Sequence, residues 1–256
     1  MSFGFFEKLE DRFNTTGSLL CVGLDPHKHW AGTASQARDL CLDVIEDTKD
    51  LALCYKINSA FFEVFGPRGV WAMMLVIKEI QHLGIPVILD SKRSDIGSTA
   101  EAYAESIFET YEADATTVNP LMGHDSIKPF LDYKDKGTFV LCITSNPGMR
   151  DFLDELYPKI LDFSQRVDEY DNIGLVVAGT YPEYFKEVRK KFNGWILVPG
   201  IGAQGGEVEK ITGAIKDKKN PKILVNVSRS LYVGNIRENA KYYVDNLHNL
   251  TRGENI

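Results

Sequence analysis

Asp90 and Lys92 stand two residues apart in the segment Asp90-Ser91-Lys92-Arg93-Ser94-Asp95. On a strand that spacing points both side chains to the same side. Lys56 ends another short apolar run and can approach them, giving an alternating array of Lys56, Asp90, Lys92 and Asp95. A lysine flanked by carboxylates is held protonated, and a carboxylate beside a lysine is held ionised. Fixed alternating charge suits a reaction that develops negative charge on carbon and then needs a proton. A lysine beside that carbon serves as acid and as electrostatic stabiliser. Alternatively, the four residues form a structural ion-pair network, since charge clusters mark sites only statistically. Asp25, Asp90 and Asp95 could also ligate a metal, but no histidine falls among them and the lysines compete for the same carboxylates.

A second group of residues suits an anion. Pro199, Gly200, Gly202, Gln204, Gly205 and Gly206 follow one late apolar run, and Ser228 and Arg229 follow the next. Glycines let backbone N–H groups approach a phosphate, and barrels often bind phosphate between their last two strand-to-helix loops. The bland alternative is that the glycines only make turns and Arg229 pairs with a surface carboxylate. Asp95 and Thr99 are four apart and share a face if a helix starts early, or Asp95 or Ser98 simply caps that helix. Asp25, before Pro26, either faces a site or only forms a turn.

These residues need a scaffold, and the apolar pattern supplies one. Strands are predicted at 18–24, 52–57, 85–89, 115–118, 138–143, 173–178, 195–198 and 222–227. Each is short and nearly continuous in apolar character, as in parallel strands buried on both faces. Helical periodicity is clearest at 33–49, 71–82, 98–111, 181–192 and 207–215. Eight strands alternating with helices over 256 residues predict an α/β fold, a single-domain (β/α)8 TIM barrel spanning 1–256. A doubly wound sheet would place G-x-G-x-x-G after its first strand, where this chain has Gly23-Leu24-Asp25-Pro26. In a barrel the site lies at the C-terminal ends of the strands, where Asp25, Lys56, Asp90, Ser145 and Arg229 fall.

Composition narrows the partners. Lys and Arg number 29 against 36 Asp and Glu, a net charge of −7, so there is no electrostatic footprint for nucleic acid. No apolar run approaches the ~20 residues of a membrane span. Cys21, Cys41, Cys54 and Cys142 lie in mostly apolar segments without C-x-x-C spacing, as expected of reduced thiols in the cytoplasm.

In order along the chain, Gly23-Leu24-Asp25-Pro26, Tyr55-Lys56-Ile57-Asn58, the stretch from Asp90 to Thr99, Asn119-Pro120-Leu121-Met122-Gly123, Thr144-Ser145-Asn146-Pro147-Gly148, the glycine loop and Ser228-Arg229-Ser230 resemble the orotidine 5′-phosphate decarboxylase family, in its bacterial-type group. The resemblance covers nearly the whole chain. It implies decarboxylation of orotidine 5′-phosphate to uridine 5′-phosphate, the last step of de novo UMP synthesis, with no metal or cofactor. Lys92 matches the lysine that protonates the C6 carbanion, Asp90 the carboxylate set against the substrate carboxylate, and Lys56 the first lysine of the array. Asp25 and Lys56 match groups that hold the ribose, Ser145 the contact to the pyrimidine, and Gln204 and Arg229 the phosphate side. Asp95, Ile96 and Thr99 match a segment that reaches the neighbouring subunit's site, so the resemblance implies a homodimer. Many relatives have Gly where this chain has Ser228. The rivals are a magnesium-dependent phosphosugar decarboxylase or aldolase, which would place an acid where Lys56 stands, and a non-catalytic phosphate-ligand barrel.

Overall fold

Runs such as Leu20-Cys21-Val22 and Ile223-Leu224-Val225 have no polar face to offer solvent, so both sides of each strand must be covered. A closed barrel wrapped in helices does this. The computed structural model describes residues 4–202, 211 and 219–252. Its strands are β1 (Leu20–Leu24), β2 (Cys54–Asn58), β3 (Val87–Arg93), β4 (Ala115–Val118), β5 (Gly137–Ile143), β6 (Ile173–Val177), β7 (Ile196–Val198) and β8 (Ile223–Val227). They pair in parallel in chain order, and β8 closes on β1. The predicted fold class is the observed one.

The helices are α1 (Phe5–Thr16), α2 (Ala34–Thr48), α3 (Ala60–Glu63), α4 (Pro67–His82), α5 (Gly97–Glu105), α6 (His124–Leu131), α7 (Leu153–Val167), α8 (Pro182–Lys191) and α9 (Ile236–Arg252). The helix predicted at 98–111 is α5 followed by a π-helical turn over Ser106–Thr110. The one predicted at 207–215 lies outside the described residues except at Ile211. Helix α4 starts earlier than its periodicity suggests, because Pro67 opens it with a preset φ. Gly69 sits inside α4, where a Cβ would meet the Phe62 carbonyl oxygen at 1.8 Å, so glycine lets α3 and α4 approach.

Helix α1 precedes the barrel and closes one end of it. Phe5 is buried and meets the Phe139 ring edge-on at 6.0 Å, while Phe6 stacks on Trp195 at 6.4 Å. Those partners lie in or just before the starts of β5 and β7, so α1 plugs the N-terminal end. The C-terminal ends of the strands are left as the mouth. All four cysteines are buried and unpaired, as predicted. Among the described residues no helix is long and apolar enough to cross a membrane.

Candidate active site

The strand ends surround a cavity of about 340 Å³. One wall is charged. Lys56 on β2 donates to Asp90 Oδ2 at 2.9 Å, and Lys92 donates to Asp90 Oδ1 at 2.5 Å. Asp90 also accepts from the Thr117 hydroxyl at 2.9 Å. Pairing of Asn58 with Asp90 in the β2–β3 register brings these groups to one level. Strand β3 runs on to Arg93, so Asp90 and Lys92 belong to the strand rather than following it. The opposite wall is apolar and includes Leu141, Val176, Leu197 and Ile201. A flat ring can lie there with a charged substituent facing the lysines.

The array carries its charges firmly. Burial alone would lower the pKa of Lys56, but attraction to Asp90 and then Asp25 outweighs it and moves the value above the ordinary 10.5. Burial would raise that of Asp90, but Lys56 and Lys92 overcome it and hold the carboxyl well below its ordinary 3.8. The ionised Asp90 therefore contributes stability above pH 3.8 that is lost as pH falls through its depressed value. The protonated Lys56 contributes stability below pH 10.5 that is lost as pH rises through its raised value. Asp90→Asn leaves Lys56 buried without its nearest counter-ion, an expected loss of about 3–5 kcal/mol at neutral pH. Urea midpoints measured from pH 7 to 2 should start lower in the variant and decline less steeply on the acid side. Parallel curves for the two proteins would contradict the assignment.

Two buried oxygens in this region, Asp25 Oδ1 and Ser228 Oγ, have no hydrogen-bond partner among the described residues. Such groups are costly unless something completes them, and both residues line the cavity. Gly23 admits Ser228 to the site, since a Cβ on Gly23 would lie 2.7 Å from Ser228 Cβ. Arg229 lines the same side, and it makes no ion pair with a carboxylate among the described residues. Tyr232 donates to the Gly23 carbonyl at 3.1 Å and stacks on Trp30, tying the loops after β1 and β8 together.

Lys56, Asp90, Lys92, Asp25, Ser145, Pro199, Ser228 and Arg229 thus share one cavity. Gln204 and Gly205 lie outside the described residues. Asp95, Ile96 and Thr99 do not line the cavity. The Asp95 carboxylate turns back to accept from the Ile96 amide at 2.8 Å, and Ile96 is exposed. Within one chain the hydrogen-bonded members of the array are Lys56, Asp90 and Lys92. Strand β3 ends at Arg93, two residues before Asp95, which is half-buried. Nor do Asp25, Asp90 and Asp95 form a metal-binding group, and the described residues contain no such cluster.

Sequence reasoning missed His27, Phe61 and Thr117 in the cavity wall. His27 packs on Phe61 at 4.3 Å between ring centres, and burial lowers its pKa, favouring the uncharged ring. The signal for His27 was its place two residues beyond Asp25. Thr117 gave none, since it reads as an ordinary β-branched strand residue.

A closed (β/α)8 barrel that holds a lysine–aspartate–lysine set inside its mouth, at the ends of β2 and β3, is built as an enzyme barrel of the decarboxylating kind. The model of the orotidine 5′-phosphate decarboxylase / HUMPS family matches residues 18–241. The orotidine 5′-phosphate decarboxylase of Roseiflexus sp. (strain RS-1) is 42% identical over 228 residues, covering 84% of this chain and 83% of that protein. The structure of Leishmania donovani OMP decarboxylase superposes with a TM-score of 0.89 at 39% identity, covering 98% of this chain and 100% of that one. Leishmania donovani UMP synthase gives 0.90 at 41% identity over 97% of this chain, which spans only 56% of that longer protein. The chain belongs to the orotidine 5′-phosphate decarboxylase family.

Proposed function

We infer that the chain converts orotidine 5′-phosphate to uridine 5′-phosphate and CO2 without a metal or cofactor. The observation that carries this is Asp90 fixed between Lys56 and Lys92 inside the cavity. The substrate carboxylate lies against Asp90. The C6–carboxylate bond breaks, its electron pair stays on C6, and a proton from Lys92 Nζ forms the new C6–H bond. The array is built before substrate arrives, so little reorganisation is needed as charge develops. Asp25 and Lys56 hold the ribose hydroxyls, and Ser145 contacts the pyrimidine. Arg229, Ser228 and the loop bearing Pro199, Gln204 and Gly205 take the phosphate. The unpartnered Asp25 and Ser228 oxygens support these contacts.

The working form is a homodimer in which Asp95, Ile96 and Thr99 complete the neighbouring site. Exposed Ile96, Leu121 and Met122 on the loops after β3 and β4 support an apolar contact there. The enzyme is cytoplasmic, a reading supported by its four buried, unpaired thiols.

The test is CO2 release and loss of substrate absorbance after adding orotidine 5′-phosphate to purified protein in excess EDTA. Turnover should survive chelation. A folded protein without turnover would overturn the inference, and magnesium-dependent activity on a phosphosugar would put the rival in its place.

A further inference from the structure

Strand β3 is irregular where its chemistry sits. Leu89 pairs with Thr116 and Arg93 with Val118, so Asp90, Ser91 and Lys92 together face Thr117. The bulge leaves Lys92 at φ +47°, a left-handed conformation that disfavours a residue with a Cβ. Its amide donates to the Thr117 side chain, at Oγ1, 3.0 Å away. The same hydroxyl donates its proton to Asp90 Oδ1 at 2.9 Å. On the other side of β4, Thr116 Oγ1 bonds the Leu89 carbonyl at 2.8 Å and lies 2.9 Å from the Ser91 hydroxyl. Adjacent threonines thus clamp the bulge from both faces, and only Thr117 lines the cavity.

We propose that Thr117 is a positioning residue for the decarboxylation, its one hydroxyl setting both the backbone of Lys92 and the carboxylate of Asp90. The role rests on the reaction inferred above. A hydroxyl has one proton and two lone pairs, so accepting from Lys92 and donating to Asp90 uses it in both senses. Without it the Lys92 turn loses its anchor and Asp90 can rotate toward the lysines. Substrate would still bind, because Thr117 itself makes none of the phosphate or ribose contacts and Lys56 keeps its bond to Asp90 Oδ2, but the proton donor would be misplaced relative to C6.

The test compares Thr117→Val, which keeps the branched shape, with Thr117→Ser, which keeps the hydroxyl. For Thr117→Val, kcat should fall by about 10- to 100-fold, the scale of one lost hydrogen bond with an unsatisfied partner. Inhibition by uridine 5′-phosphate, which has no carboxylate, should change by no more than about twofold, since its contacts are untouched. Thr117→Ser should stay within about threefold of the parent in kcat, because the bonding hydroxyl remains. If the valine variant does not fold, Thr117→Ala carries the same expectation. The proposal is overturned by near-parental kcat in the valine variant, by equal damage in the serine variant, or by uridine 5′-phosphate binding that weakens in step with kcat. An unsubstituted chain inactive on orotidine 5′-phosphate would instead sink the inferred reaction, and this role with it.

Discussion

Lys92→Ala should lower kcat/KM for orotidine 5′-phosphate by about 10⁴-fold or more. Removal of a general acid typically costs about 10²- to 10⁴-fold. Loss of a preorganised charge beside the developing anion costs a further factor of about 10² to 10³. One side chain supplies both here, because the Lys92 ammonium is held at Asp90 Oδ1 at 2.5 Å. The substitution also leaves Asp90 with Lys56 and Thr117 as partners, so the carboxylate stays ionised and the fold keeps its buried pair. Fold stability should therefore change far less than turnover, and uridine 5′-phosphate should still bind. Lys92→Arg separates the two roles: its charge persists, but a guanidinium does not give up a proton, so turnover should stay low. Single-turnover formation of uridine 5′-phosphate measures both variants. A loss below about 100-fold for Lys92→Ala would assign the proton to another group, since it is less than a general acid alone supplies even at the lower end of its range.

How far the sequence could be read depends on the range of the interaction concerned. The barrel is legible because strands buried on both faces must be apolar throughout, a local property visible in 173–178 or 222–227. Asp90 and Lys92 are legible because side chains two apart share a side of any strand. The bulge is not, since it arises from how β3 meets β4 and leaves no trace in either segment alone. Thr117 was missed for that reason, although its hydroxyl bonds two of the residues that spacing did identify. Asp95 does not line the cavity of its own chain. Spacing suggests which residues are close along the chain, but β3 ends at Arg93, two residues before Asp95. Helix α7 carries Pro158 in its interior, where proline removes a backbone hydrogen bond. Its amphipathic packing of Ile160, Leu161 and Ser164 holds it together nonetheless.

Because Asp95 does not line its own chain's cavity, the shared-site homodimer is testable without a structure of the complex. Each site would use Lys56, Asp90 and Lys92 from one copy and Asp95 from the other. Lys92→Ala and Asp95→Ala should then each give a nearly inactive homodimer, for different reasons. Co-expressing the two variants under different affinity tags and purifying through both tags selects the mixed dimer. One of its sites combines both defects. The other takes Lys92 from the Asp95→Ala copy and Asp95 from the Lys92→Ala copy, so it is intact. A two-fold dimer exchanges the same residues in both directions, so the mixed dimer should show roughly half the activity of the unsubstituted dimer. Neither parent variant can reach that value, and averaging them cannot produce it. If Asp95 instead served only its own chain, the mixed dimer would hold one site lacking Lys92 and one lacking Asp95, and its activity would be the mean of two inactive proteins. Recovery to about half therefore requires Asp95 to cross between subunits, and no recovery would confine each site to the residues of one chain.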